Sequence, residues 1–504
     1  MQLRTQLNFK RAGGILLHPT SLPGPFGIGD LGPVCIDWLD WLKNSGCSLW
    51  QFLPLGPTGY ADSPYQCLSA FAGNPLLISP QVLLQDGLLD SDDLVPNPHF
   101  DPSYVDYGRV IELKIPLLQK AAQRFLQDAG NQKKAAFERF CRNQQFWLDD
   151  FALFIVLKTE HGLAPWHTWE KSLALRDPET LSNAWSSLQS EVRIQQVIQY
   201  FFFQQWRGVR SRAEELGITL IGDLPIFVAH DSAEVWAHPE MFLLQEDGQP
   251  EYVAGVPPDY FSPTGQRWGN PLYRWDYMRE FGYRWWTKRL KAALEIAHTV
   301  RLDHFRGFEA YWEIPASEET AVIGRWVKGP GKELLLKLQE NLGGLPIIAE
   351  DLGLITPEVI KLRDSFSLPG MKVLQFAFDA DDTHPFLPLN YSQNCVAYTG
   401  THDNDTVRGW YEAAPEEEKD FARRYLRVSG EDIAWDMIRA VWHSRAVWAL
   451  APMQDFLALH TSARMNYPGR MEGNWSWRLR EDQITTDLQS KIAALSKESG
   501  RTES

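Results

Sequence analysis

Short apolar runs recur along this chain, and most are separated by segments with helical spacing. Residues 13–18 (GGILLH) read as a buried strand, and a turn-rich loop follows over 19–29. Residues 37–43 (DWLDWLK) repeat apolar positions at a helical period and are stopped by Asn44-Ser45-Gly46. Residues 49–53 (LWQFL) then read as a second strand. This strand-helix-strand rhythm predicts a parallel sheet.

The rhythm breaks between about Leu83 and Glu215, where long helical patterns such as 120–142 and 147–158 carry no clear inner strand. Strands resume at 218–223, 300–303, 346–350, 371–378, 395–401 and 448–453. Between them, 285–297 is helical, with Trp286, Leu290, Ala293, Leu294 and Ala297 on one face. The Pro- and Gly-rich stretch 248–271 reads as a long functional loop. With the first two, these runs make eight candidate strands, which fits a (β/α)₈ barrel with inserted, largely helical subdomains. The expected division is 10–82 for the first part of the barrel, 83–215 for a mainly helical insertion, and 216–495 for the rest of the barrel.

Composition narrows the function classes. The chain has 504 residues, enough to bury a large core, and its net charge of -15 argues against a basic surface for nucleic acid or an anionic membrane. Aromatic residues make 12% of it, including 21 Trp; most are expected in the core, and the rest can stack on the apolar face of a sugar ring. Five cysteines (Cys35, Cys47, Cys67, Cys141, Cys395) show no CxxC pair and no zinc spacing, which suits a reducing compartment. No signal-peptide core and no bilayer-length apolar run is present, so the expectation is a cytosolic protein.

The strand ends carry the candidate chemistry. Arg301-Leu302-Asp303, Ala349-Glu350-Asp351 and Thr401-His402-Asp403-Asn404-Asp405 each stand where an apolar run stops, and the mouth of a barrel enzyme is built from such ends. Arg301 and Asp303 share one face of their strand, so the guanidinium is expected to lower the carboxyl pKa and keep a nucleophile ionised. A structural Arg-Asp pair is the alternative. Glu350 follows apolar residues and is expected to have a raised pKa, as a proton donor needs, or else to cap the turn that follows. His402 and Asp403 could orient hydroxyls; Asp403 or Asp405 could instead cap the helix before Val407, or His402, Asp403 and Asp405 could ligate a metal. One nucleophilic carboxylate with one raised acid is the equipment of a retaining glycosidase, its two carboxyls about 5–5.5 Å apart.

Arg-x-Asp at one strand end, Glu at the next and His-Asp two strands later resemble the α-amylase clan. Longer stretches are more specific: 17–25 (LHPTSLPGP), 59–74 (GYADSPYQCLSAFAGN), 222–228 (GDLPIFV), 255–271 (GVPPDYFSPTGQRWGNP), 301–307 (RLDHFRG), 349–353 (AEDLG) and 401–406 (THDNDT) resemble the 4-α-glucanotransferases, the amylomaltase or disproportionating-enzyme family, collinearly over roughly 10–480. The resemblance implies transfer of a glucan segment between α-1,4-glucans such as maltooligosaccharides, starch or glycogen, or onto glucose, with no metal and no cofactor. It implies Asp303 as nucleophile, Glu350 as general acid/base and Asp403 as transition-state stabiliser. It implies substrate contacts from Arg301, His402, Asp223, Tyr65, Tyr260, Phe261, Gln266, Trp268 and, in the late loop Arg464-Met465-Asn466, from Asn466. An amylase-type α-glucan hydrolase and a non-catalytic glucan-binding barrel are the competing readings.

Overall fold

The computed structural model describes residues 9–95, 99–259 and 262–502. Twelve strands lie among them: β1 (Ala12–Leu16), β2 (Leu49–Gln51), β3 (Thr219–Leu224), β4 (Tyr252–Val256), β5 (Gln266–Pro271), β6 (Thr299–Leu302), β7 (Ala310–Pro315), β8 (Arg325–Lys328), β9 (Ile347–Ala349), β10 (Gly370–Val373), β11 (Cys395–Tyr398) and β12 (Trp448–Pro452). Eight of them close a parallel barrel in the order β1-β12-β11-β10-β9-β6-β3-β2. The barrel is the (β/α)₈ fold expected from the sequence, and every strand in it coincides with one of the predicted runs.

Alternation along these strands sorts side chains into two layers. Leu49, Ile221, Ile348, Met371, Val373, Val396, Tyr398 and Leu450 form one buried cluster, the filling of the barrel. Their neighbours Leu220, Val300, Leu302, Ile347, Ala349, Ala397 and Ala449 belong to a second, larger cluster shared with the helices. The inward face therefore continues, one step past the apolar filling, into Asp223, Arg301, Asp303 and Glu350. On β3 and β9 the inward apolar side chains Ile221 and Ile348 are followed two residues on, at the next inward position, by Asp223 and Glu350. Gly14 lets β1 lie close to β2: a Cβ there would stand 2.2 Å from the Leu49 carbonyl oxygen.

Between β2 and β3 the chain is helical, with long helices Tyr107–Asp128, Asn131–Glu160 and Gln189–Leu216. Asp106 caps the first by accepting from Arg109 N at 3.1 Å. The third ends at Gly217, whose φ of 71° suits glycine. Trp206 of that third helix packs edge-on against Phe52 at 5.2 Å and donates to the Ile296 carbonyl at 3.0 Å. The helix that leads into β3 is thus itself fastened to the barrel wall.

The stretch 248–271 departs from the expected loop. It contributes β4 and β5, which join β7 and β8 in a four-stranded antiparallel sheet of order β5-β4-β7-β8. The sequence hid this hairpin because Gly255 and Gly269 and the flanking prolines read as turn residues. Gly255 is required by packing rather than by a turn, since a Cβ there would lie 2.2 Å from the Gln266 carbonyl oxygen. The run 371–378 is also shorter than expected: β10 ends at Val373, and a 3₁₀ turn, Leu374–Ala377, follows. Among the described residues no helix is long and apolar enough to cross a membrane.

Candidate active site

Strand register sets the centre of the site. Asp223 of β3 pairs with Arg301 of β6, and Leu302 of β6 with Ala349 of β9, so Asp223, Arg301, Asp303 and Glu350 come from three adjacent strand ends. Asp223 Oδ2 accepts from Tyr65 Oη at 2.7 Å and from Arg301 Nε at 2.9 Å. The same guanidinium reaches Asp303 Oδ1 through Nη2 at 2.9 Å. Arg301 thus joins two carboxylates, and it is buried with 3% exposure. Asp223 Oδ1 is buried and has no hydrogen-bond partner among the described residues, leaving an acceptor beside the mouth.

Burial outweighs Arg301 at Asp303. Desolvation pushes this carboxyl up to about 6, helped by the charges of Asp223 and Asp403 and opposed by Arg301 and His402. This corrects the expectation of a lowered value. Residue order shows the neighbouring cation but not the loss of water around the carboxyl. Its side chain remains 29% exposed, on the open side of the mouth.

Glu350 is held by the backbone. Its Oε2 accepts from His304 N at 2.7 Å and its Oε1 from Leu352 N at 2.8 Å. The first bond depends on His304 taking the left-handed conformation, φ 51° and ψ 48°, an unusual cost for a side chain other than glycine. Desolvation and the adjacent Asp303 push the Glu350 carboxyl up to about 8, against Arg301 and these two amides. A raised Glu350 agrees with the reading from its apolar approach.

His402 and Asp403 face this pair from the loop after β11. His402 is buried, and desolvation lowers its pKa, which favours the neutral ring. It stacks on Tyr65 with centroids 5.1 Å apart and planes 14° from parallel. Its Nε2 lies 3.3 Å from Asp403 Oδ2. Asn466 Nδ2 donates to Asp403 Oδ1 at 2.6 Å, and Arg464 Nη2 to the Asp403 carbonyl at 2.6 Å. Asn466, expected to face substrate, therefore also fixes Asp403. Neither aspartate caps the next helix: that role falls to Thr406, whose side chain accepts from Gly409 N. Asp405 turns instead to Thr461 and to the Thr406 amide. Among the described residues no three ligand-type side chains converge as a metal site.

Gln266 and Trp268 arrive on β5. Trp268 Nε1 donates to Gln266 Oε1 at 3.1 Å, and its ring meets His304 edge-on at 4.8 Å. The antiparallel sheet therefore touches the residue whose amide holds Glu350. Tyr260 and Phe261 lie outside the described residues. Trp475 is a member that the sequence did not single out. Its ring lies 5.8 Å from Tyr65 and 6.0 Å from His402, and its φ of 62° sits in a Gly- and Asn-rich loop with no strand pattern to mark it.

Two carboxyls on adjacent strand ends, a shared arginine and a third carboxyl across the mouth suit glycosyl chemistry on a barrel. A family model described as 4-alpha-glucanotransferase matches residues 17–485. The chain belongs to the 4-alpha-glucanotransferase family. It is 52% identical over 503 residues to the 4-alpha-glucanotransferase of Thermus thermophilus, covering 98% of this chain and 100% of that one. The chloroplastic/amyloplastic 4-alpha-glucanotransferase of Solanum tuberosum is 46% identical, with 97% of this chain and 85% of that one covered. Among solved structures, amylomaltase from Streptococcus agalactiae in complex with acarbose matches with a TM-score of 0.95 at 38% identity, covering 98% of this chain and all of that one. The 4-alpha-glucanotransferase reading thus holds over the whole chain, and no comparison favours the hydrolase over it.

Proposed function

We propose that Asp303 is the nucleophile, Glu350 the general acid/base and Asp403 the transition-state stabiliser of a retaining transfer between α-1,4-glucans. The observation that carries this is the asymmetry of two neighbouring carboxyls: Asp303 Oδ1 accepts from the Arg301 guanidinium at 2.9 Å, whereas Glu350 accepts from the backbone amides of His304 and Leu352. Burial raises both, Glu350 to about 8 and Asp303 to about 6. Over that interval one group is an acid while the other is a nucleophile, and pushing apart the pKa values of two neighbours is how such roles are assigned.

In the first step a carboxylate oxygen of Asp303 bonds to the anomeric carbon as the bond from that carbon to the leaving 4-oxygen breaks. The proton of Glu350 goes to the leaving oxygen. Glu350, now ionised, takes the proton of an acceptor 4-hydroxyl, whose oxygen displaces Asp303 from the anomeric carbon. The two inversions retain configuration. Asp403, 47% exposed at its side chain and held by Asn466, lies where it can grip ring hydroxyls as positive charge develops. Asp223 Oδ1, Tyr65, Arg301 and His402 complete the donor-sugar side. Gln266 and Trp268 serve the acceptor side, where a sugar hydroxyl must reach the intermediate before water does, and the family resemblance assigns Tyr260 and Phe261 to the same task.

The substrates on this reading are maltooligosaccharides, starch or glycogen as donors, with glucose or another glucan as acceptor, and no metal or organic cofactor takes part. The cytoplasm is the proposed setting, supported by five unpaired cysteines. The test is incubation with maltotriose, with and without EDTA. A ladder of longer maltooligosaccharides plus glucose, unchanged by EDTA and with little net gain of reducing ends, is expected. Shorter sugars alone with rising reducing ends would make the protein a hydrolase.

A further inference from the structure

The loop that carries His402 and Asp403 leaves β11 at Thr399 and enters the helix Val407–Ala413. Both ends of this loop are tied to one carboxylate from the next strand end. Asp455 lies just past β12, in the short helix Met453–Phe456. Its Oδ2 accepts from Thr399 Oγ1 at 2.6 Å, and its Oδ1 from Val407 N at 2.8 Å. The residue is 1% exposed and makes no ion pair among the described residues. A buried carboxylate without a countercharge is costly, and a well-packed apolar residue would usually stabilise such a position. What Asp455 provides that an apolar residue cannot is a fixed separation between the two loop ends.

Inside this clamp the loop is braced again. Asn404 Oδ1 accepts from both Thr401 N and Thr401 Oγ1 at 2.9 Å. Gln375 Nε2 donates to the Asp405 carbonyl at 2.9 Å, and Thr461 Oγ1 to Asp405 Oδ2 at 2.9 Å. These ties leave one segment, His402-Asp403, to face the mouth. An unclamped loop would let Asp403 drift, and a displacement of about 1 Å in a group that stabilises developing charge can cost on the order of 10²-fold in rate.

We propose that Asp455 is a positioning residue for the transfer reaction: it bridges the two ends of the β11 loop and thereby sets where Asp403 and His402 stand. The inference rests on the role proposed above for Asp403. The bridge acts through geometry, because both of its bonds are received from groups on the loop itself. Asparagine can reproduce it. Its carbonyl can accept from Val407 N while its amide donates to a rotated Thr399 hydroxyl.

The test compares D455A, D455N and D403N, with rates on maltotriose expressed per active site titrated by a slowly turned-over fluorinated glycosyl fluoride. D455A should lower kcat by roughly 10- to 100-fold while KM for maltotriose moves by less than about 3-fold. D455N should recover kcat to within about 3-fold of the parent. If D455A melts earlier but keeps the parent kcat per titrated site, Asp455 is merely structural and the inference fails. If D455N is as slow as D455A, the geometric bridge is likewise overturned. Should D455A not fold, T399V removes only the strand-side tie; a several-fold fall in kcat at constant KM supports the bridge, and an unchanged kcat overturns it. D403N separates the two readings. Full activity in D403N would refute the role of Asp403 itself, whereas a dead D403N beside a fully active D455A would refute the bridge alone.

Discussion

At the residue scale, burial moves both carboxyls of the proposed pair, Asp303 and Glu350, upward and moves Glu350 further. Activity should therefore follow a bell, with an acid limb near 6 as Asp303 takes a proton and an alkaline limb near 8 as Glu350 loses one. The limbs belong to the coupled pair rather than to either residue alone. Glu350→Gln should abolish the alkaline limb and slow natural glucans far more than a glycosyl fluoride, whose leaving group needs little protonation; equal losses on both donors would remove Glu350 from the acid role. The same shift has a stability consequence. The folded state binds the Glu350 proton more tightly than the unfolded chain, where the group titrates near 4.3. Its contribution to stability is therefore fullest below that value and falls as pH rises toward about 8. Glu350→Gln should raise the melting temperature more at pH 8.5 than at pH 5, and an equal change at both would contradict the raised pKa.

At the scale of elements, legibility followed apolar continuity. Runs such as Leu345-Pro346-Ile347-Ile348 announce a barrel strand because both faces of it are buried, so no polar position interrupts the run. The antiparallel sheet gave no such signal. Its edge strand β8 is largely exposed, and β5 alternates Gln266, Arg267 and Trp268 without a clear period. Its role in the site follows from position: β5 presses Trp268 against His304, and His304 lends its amide to Glu350. Removing the ring should loosen the left-handed turn and misplace Glu350, the proposed acid. Trp268→Ala is expected to lower kcat on maltotriose by roughly 10-fold, about 1.4 kcal/mol, and on α-maltosyl fluoride by much less. Equal losses would mean that the ring serves acceptor binding only. Likewise the carboxylates at strand ends were legible from their apolar approaches, whereas Trp475 and Asp455 were not: Trp475 comes from a loop with no period, and Asp455 reaches the neighbouring β11 loop from a single short turn of helix just past β12.

At the scale of the whole molecule, the barrel closes between β1 and β12, so the seam joins the first and last strands among the described residues. Arg501 lies across that seam with 1% exposure. Its guanidinium donates to the carbonyls of Ala12 at 2.8 Å, Trp442 at 2.7 Å, Ala446 at 3.0 Å and Val447 at 3.2 Å. Arg11 reaches the carbonyls of Trp442, Ser444 and Ala446 from the other side and that of Ser499 in the tail. Burial, and then repulsion from Arg11, lowers Arg501 to about 9, so the tail holds a cation in place only through the carbonyls it satisfies. Removing it withdraws one donor from each of these carbonyls; Trp442 and Ala446 keep Arg11 and Val447 keeps the Ala12 amide, so the cost is about 1–3 kcal/mol only for a carbonyl left unpaired where water cannot reach. Arg501→Ala should lower the melting temperature by several degrees. The seam lies at the strand starts and the chemistry at the strand ends, so kcat and KM at 25 °C should stay at the parent values. An unchanged melting temperature would show that Arg11 alone closes the seam, and a fall in kcat at 25 °C would show that the strand starts and the mouth do not move independently.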